Sequence, residues 1–206
     1  MIELPCIVID SETTGLASEP MAAVVEVAAV VVQRDGTIPF SVSTLVNPFS
    51  GTRPITASDE AMAVHGIAED DILRAPVAGH VDMALDLVRE HVLPTFAPDW
   101  PFNGLRWTSW RLDFDATLLG RDFPRLTKWP RATCIHAYAR SLVRDGELHD
   151  DRSPSLRMTA AALGIPMPAT RHRALADALL AAEVLHALVT RAPDAPLEVS
   201  HVQPVH

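Results

Sequence analysis

The 206-residue chain has little cysteine, few aromatic residues and no excess of positive charge. Its two cysteines, Cys6 and Cys134, are too few for a disulfide framework, so we expect free thiols in a reducing compartment. A formal net charge of -9 argues against a general polyanion binder, because non-specific nucleic-acid binding depends on a basic surface. An enzyme whose bound cations offset clustered acids is still allowed.

Long apolar runs and a basic N-terminal leader are also missing. No uninterrupted apolar stretch reaches the length that spans a membrane. The N-terminus "MIELPCIVID" has no basic region before its first apolar run. We therefore expect a soluble, cytoplasmic protein with no membrane partner. Hydrophobic residues make up 48% of the chain, which is enough for the core of a single domain.

The apolar pattern predicts strands near the N-terminus and helices interleaved later. Three antiparallel strands are predicted at "CIVID", "MAAVVEVAAVVVQ" and "FSVSTLV", and "PDWPFNGL" is a further candidate strand. Five helices are predicted. The first begins at Ser58 and ends near Gly66. Three more end near Pro94, at Gly120 and at Gly164, and the last runs from Arg173 to about Val189. This order of elements predicts one mixed α/β domain.

The first strand ends in two carboxylates, Asp10 and Glu12, only two positions apart. Side chains at positions i and i+2 of a strand point to the same face, so these acids project side by side. Two like charges at that distance repel each other and resist burial. Either they lie on a solvated rim beside the turn Thr13-Thr14-Gly15, or a cation sits between them.

Two more carboxylates occupy positions where a charge is unexpected. Asp177 lies among Ala, Leu and Val in the last predicted helix, and His172 precedes it by five residues. Asp115 precedes a Leu-Leu pair by three and four positions, which places it at the edge of a core-facing helix side. Each of these residues has an ordinary alternative. Asp177 could be a first-turn acid favoured by the helix dipole, His172 a loop histidine, and Asp115 a helix-start acid in competition with Asp113.

In their order and spacing these segments resemble the DEDDh family of 3′→5′ exonucleases. The family's three motifs are Asp-x-Glu-Thr-Thr-Gly after a strand, Phe-Asp before a Leu-rich turn, and His-x-Ala-x-x-Asp. They are matched at residues 10–15, 114–119 and 172–177. A Val-His-Gly-Ile segment that is common in the family stands at residues 64–67. Together, the four matches favour this resemblance over the alternative that Asp10 and Glu12 simply lie on a solvated rim.

The resemblance implies an α/β ribonuclease H-like fold. In that fold a mixed central sheet, with three antiparallel N-terminal strands plus parallel strands, is flanked by α-helices. Residues 1–190 would form the exonuclease domain. Residues 191–206 contain three prolines and no periodicity, so we expect an extended or mobile tail.

The resemblance also implies hydrolysis of phosphodiester bonds from the 3′ end of a single strand, with two divalent cations, Mg²⁺ or Mn²⁺, about 4 Å apart. Asp10 would bridge both ions, Glu12 and Asp177 would complete the site that holds the water, and Asp115 would support the second ion. His172 would take the proton from that water, a task suited to an imidazole that titrates near neutrality.

Contacts with the terminal nucleotide are implied near the first motif. The backbone of Thr13, Thr14 and Gly15 is expected to approach it, and the glycine allows close contact. Leu16 and His65 are candidates for packing against the last base or sugar. The alternatives are ordinary turn packing for Leu16 and a helix-end position for His65.

Trp110 and Arg111 stand where the family commonly has a His-Asn or similar pair. Trp110 is a candidate for stacking on a base, with core packing as the alternative. Arg111 is a candidate for phosphate contact, with a solvated surface charge as the alternative. Ser11 departs from the more usual Thr or apolar residue, and we expect it to matter less because it points to the opposite face of the strand.

The implied partners are 3′ ends of single-stranded DNA or RNA. A DNA polymerase is a further candidate partner if the protein is a proofreading subunit. The sequence does not decide between DNA and RNA, between a subunit and a free-standing enzyme, or between oligomeric states. A non-catalytic module that binds 3′ ends or partner proteins is the alternative from another class, and five intact catalytic positions argue against it.

Overall fold

The computed structural model describes residues 2–96, 105–142, 155–170 and 172–190. The predicted tail and most of the candidate strand "PDWPFNGL" lie outside these residues. Within them, no helix is both long and apolar enough to cross a membrane.

A four-stranded mixed sheet forms the centre of the protein, with the strand order β3-β2-β1-β4. The first three strands are antiparallel neighbours, and the fourth pairs parallel to β1. The strands are β1 (Cys6–Thr13), β2 (Val24–Val32), β3 (Phe40–Leu45) and β4 (Trp107–Thr108). The predicted mixed sheet is confirmed, although its parallel part is a single two-residue strand in the described chain.

Helices cover both faces of this sheet. The described α-helices are α1 (Asp59–His65), α2 (Glu69–Arg74), α3 (Ala78–Leu87), α4 (Leu112–Asp122), α5 (Ile135–Leu142), α6 (Leu156–Ala162) and α7 (Ala174–Thr190). A π-helical turn (Val88–Val92) and a 3-10 turn (Leu93–Thr95) continue α3, and a further 3-10 turn spans Leu126–Lys128.

Alternating side chains of β1 enter two separate cores. The even-numbered residues up to Val8 belong to the core with α5, α6 and α7, and the odd-numbered ones up to Ile9 to the core with α3 and α4. Asp10 and Glu12 continue the even series and Ser11 the odd series. The two acids therefore face α7, whereas Ser11 faces α4.

Local signals set several helix ends correctly, and packing overrides others. The side chain of Ser58 accepts the Ala61 N–H as N-cap of α1, and Gly66 ends that helix with φ 64°, as predicted. The predicted end at Gly120 is wrong, because α4 continues to Asp122. A mid-helix glycine costs only about 1 kcal/mol, and the leucines before it are fully buried.

Candidate active site

Three carboxylates from two elements meet at the end of β1. Oxygens of Asp10 and Glu12 from β1 and of Asp177 from α7 all lie within 4.8 Å of one another. Helix α7 brings Asp177 there because its apolar surface packs across β1 and β2. Across the described parts of the chain, no Lys or Arg forms an ion pair with any of the three.

Burial raises the pKa of all three acids, and repulsion by neighbouring acids adds to this effect. The pKa of Asp10 lies well above its usual range, first because of burial and then because of the charge of Asp115. Burial and the charge of Asp177 raise the pKa of Glu12 to about 8. Burial also raises the pKa of Asp177. A divalent cation reverses such repulsion, and carboxylate oxygens are the ligands that Mg²⁺ and Mn²⁺ prefer, so the donor set fits a metal site.

Asp115 approaches from the other face of the sheet. It lies in the first turn of α4, is buried, and accepts a hydrogen bond from Ser11 Oγ at 2.8 Å. Burial raises its pKa to about 6, and the Ser11 hydrogen bond opposes that effect. Asp113, its competitor on the same turn, is exposed.

The structure gives Ser11 a contact with the site that its sequence position did not predict. Its side chain does point to the opposite face from Asp10 and Glu12, as the strand geometry predicts. That face is where Asp115 arrives, so Ser11 holds one of the four motif carboxylates directly.

His172 lies at the exposed rim of the cluster, two residues before α7 begins. Its backbone has a φ of 51°, a left-handed conformation that is uncommon for a residue with a side chain. The charge of His172 and a hydrogen bond from its backbone oppose the burial that raises the pKa of Asp177. The third motif thus places its histidine beside its aspartate.

The turn after β1 is braced by its own side chains. The hydroxyl of Thr13 donates to the Gly15 carbonyl at 2.8 Å, and the Thr14 hydroxyl accepts a backbone N–H across the turn at 3.0 Å. A Cβ at Gly15 would lie 2.0 Å from a carboxylate oxygen of Glu19, so any larger residue would require the Glu19 side chain to move. Leu16 projects beyond the turn and is 61% exposed.

The remaining predicted substrate contacts divide between core and surface. His65 is buried at the end of α1, where its Nδ1 accepts the Ile67 N–H at 3.0 Å. Trp110 is buried with its ring edge-on to His136, at 5.4 Å between ring centroids. Arg111 is exposed just before α4, and its charge lowers the pKa of Asp115 against the larger effect of burial.

Two features of the site were not predicted from the sequence. Helix α5 adds His136 and Arg140, one turn apart, beside Arg111; burial and these two arginines lower the pKa of His136. Glu26, directly opposite Glu12 in the sheet, is buried and bonded to the start of α7. A lone acid inside the run "VVEVAAVVV" is the signal that could have identified Glu26.

Comparison with known proteins agrees with this geometry. Residues 7–92 match the family model RNase_T, described as "Exonuclease", which covers β1 to the π-helical turn after α3. No curated protein sequence matches the chain.

Several solved structures share the fold. A full-length 3′-exonuclease is 18% identical with a TM-score of 0.64 over 89% of this chain, and the chain spans 60% of its length. Exonuclease X in complex with 5′ overhanging duplex DNA is 24% identical, with a TM-score of 0.55 over 89% of this chain and 90% of that one. The nuclease domain of 3′hExo, a DEDDh family member bound to rAMP, is 18% identical, with a TM-score of 0.63 over 89% and 90%.

The family match covers residues 7–92, and the structural matches extend over most of the chain. They agree with the predicted resemblance to the DEDDh exonucleases, and the solved structures show that the chain shares their fold. The carboxylates described above lie at the motif positions that carry this resemblance.

Proposed function

We propose that the protein removes nucleotides one at a time from the 3′ end of a nucleic-acid strand, in a reaction that depends on two divalent cations. The observation that carries this proposal is the group formed by Asp10, Glu12 and Asp177, whose oxygens lie within 4.8 Å of one another and form no ion pair with a Lys or Arg of the described residues. Bound Mg²⁺ or Mn²⁺ would supply charge stabilisation at the scissile phosphate and a water of lowered pKa.

The protein side chains then have distinct tasks. Asp10, Glu12 and Asp177 would hold the cations, and Asp115, which accepts a hydrogen bond from Ser11, would support the second one. His172 stands at the exposed rim beside Asp177, where its imidazole accepts the proton of the attacking water.

The strand leaves the site along a basic surface. Arg111 and Arg140 are exposed and form no ion pair with any described residue. Burial and the charges of both arginines lower the pKa of His136, and the charge of Arg111 opposes the burial that raises the pKa of Asp115. In a protein with a net charge of -9 they therefore offer a local path for phosphates. The exposed Leu16, directly after the first motif, offers an apolar contact for the terminal base or sugar.

Linear oligonucleotides labelled at the 3′ or the 5′ end test the proposal. With Mg²⁺ or Mn²⁺ we expect early release of a labelled mononucleotide from the 3′-labelled strand and stepwise shortening of the 5′-labelled one. EDTA should stop both. Cutting of a covalently closed single-stranded circle at the linear rate would contradict the assignment, and binding without cutting would favour the non-catalytic module.

The same assay decides the substrate class. Exonuclease X is solved with duplex DNA and 3′hExo with rAMP, so the fold accommodates both kinds of ligand. Matched DNA and RNA strands of one sequence, compared by kcat/KM, give the sugar preference of this chain.

A further inference from the structure

Glu26 is a buried acid in a strand whose other residues are all apolar. It lies in β2, is 3% exposed, and stands directly opposite Glu12 in the antiparallel ladder. Like charges placed directly opposite destabilise a sheet, and a buried carboxylate is costly unless it is paired and hydrogen-bonded. A valine would fit the pattern of this strand better, so the acid calls for a specific reason.

The partners of Glu26 all come from the start of α7, apart from one hydroxyl of β3. Arg173 donates from Nε to Oε2 at 3.0 Å and from Nη2 to Oε1 at 2.9 Å. The backbone N–H of Ala174 donates to Oε2 at 3.0 Å, and Ser43 Oγ donates to Oε1 at 3.3 Å. Both carboxylate oxygens are thus fully engaged, which distinguishes Glu26 from the metal-site acids.

These bonds fix the first turn of the helix that carries the third motif. Ala174 is the first residue of α7, so its N–H is one of those left without a partner inside the helix. The forked pair with Arg173 adds orientation as well as attraction, because two parallel bonds resist rotation. Arg173 also accepts the Asp177 N–H at its carbonyl, at 3.1 Å.

Both functional side chains of α7 lie next to this attachment. His172 immediately precedes Arg173 and keeps a left-handed φ of 51°, which surrounding contacts must hold in place. Asp177 lies three residues after Ala174, within one helical turn. A shift of this turn would move the aspartate away from Asp10 and the histidine away from the water.

We propose that Glu26 is a positioning residue: with Arg173 it clamps the first turn of α7, so that Asp177 and His172 reach the carboxylates of β1. This inference rests on the proposed function for its catalytic consequence. Its effect on metal binding can be measured without any turnover.

Calorimetric titration with Mn²⁺ compares wild type with Glu26→Gln and Arg173→Lys. Groups that orient metal ligands typically contribute 10- to 100-fold in affinity, so we expect Glu26→Gln to weaken Mn²⁺ binding by about tenfold or more. Arg173→Lys keeps the charge but loses the forked pair of hydrogen bonds to Glu26, so it should also weaken Mn²⁺ binding. On labelled strands, kcat should fall while KM changes little.

Asp82→Asn is the matched control. Asp82 is also a buried acid that accepts backbone N–H groups, from Arg125 and Leu126, and faces the Arg125 guanidinium at 3.8 Å. It belongs to α3 on the other side of the sheet. This variant should lower the melting temperature and leave Mn²⁺ affinity unchanged.

Wild-type Mn²⁺ affinity in Glu26→Gln, with only a lower melting temperature, would overturn the clamp and leave Glu26 a structural residue. Should Glu26→Gln fail to fold, Arg173→Lys decides by the same criterion. If the wild type binds Mn²⁺ but releases no nucleotide, the proposed function fails while the affinity comparison still tests the clamp.

Discussion

The protein contains two groups of buried or half-buried carboxylates with opposite surroundings. The acids of the first group are paired with arginines and accept hydrogen bonds from backbone N–H groups. Glu26 pairs with Arg173, Asp82 with Arg125, and Asp122 with Arg53. Each member of this group joins two elements that are distant in sequence. These acids therefore act as fixed structural links.

The second group has no cationic partner within ion-pair distance in the described chain. Asp10, Glu12 and Asp177 lie close together at the end of β1, and Asp115 accepts a hydrogen bond from the neutral Ser11 hydroxyl. Their pKa values are raised, chiefly by burial, which means that the fold holds them where their charged forms are disfavoured. Acids that are paired stabilise the protein, whereas acids left unpaired together indicate a cation from outside.

The largest expected effect comes from removing one unpaired acid. Asp10→Asn should lower the rate of nucleotide release on the order of 10⁴-fold or more, because metal-ion catalysis supplies several kcal/mol of transition-state stabilisation. Initial rates on a 3′-labelled strand measure this loss. Asp113→Asn, an exposed acid of α4 outside the group, is the control and should retain the wild-type rate.

A smaller loss is expected from His172→Ala, which leaves all four acids in place. The rate should fall by about 10²- to 10⁴-fold, the usual contribution of a general base, while Mn²⁺ affinity stays near that of the wild type. His186→Ala, at the far end of α7, serves as control. Near-normal activity, or a loss of metal binding, would show that His172 is not the base.

Removing a paired acid should lower the stability of the protein and leave its activity unchanged. Asp122 accepts the Val24 N–H at 2.8 Å and pairs with Arg53. Asp122→Asn should lower the free energy of unfolding by roughly 1–3 kcal/mol, because buried partners lose a charged acceptor. Urea denaturation measures this change, and kcat should be unchanged. A loss of kcat with full stability would remove the distinction between the two groups.

The smallest effect concerns pH and the metal-free protein. The pKa of Glu12 is raised from its ordinary 4.5 to about 8 in the folded state. Folding therefore favours its protonated form, so this stabilisation is present below about pH 4.5 and is lost as pH rises towards 8. Melting temperatures in EDTA should fall over this range, and Asp10→Asn should flatten the decline by removing one repelling charge.

Much of the site is readable from the sequence because strand and helix periodicities place its acids. Asp10 and Glu12 share a face through the two-residue repeat of β1, and the apolar run of α7 makes Asp177 conspicuous. Helix α5, which carries His136 and Arg140, was not predicted. Its amphipathic pattern is only two turns long, and such a short helix depends on tertiary packing.

The Glu26 clamp illustrates what local patterns cannot supply. Its partners lie 147 and 148 residues away, so no spacing rule connects them. Likewise, Ser11 was placed on the correct face, but its contact with Asp115 spans 104 residues. Both contacts follow from how α4 and α7 dock on the sheet.

Calorimetric titration of Mn²⁺ into metal-free wild type and Asp10→Asn tests the central claim most directly, namely that the unpaired acids form a cation site. We predict saturable binding to the wild type and its loss in Asp10→Asn, since carboxylate oxygens are the only donors that the group offers. Asp82→Asn, which alters a paired acid, should bind as the wild type does. Equal affinity in wild type and Asp10→Asn, or no binding to either, would contradict the account.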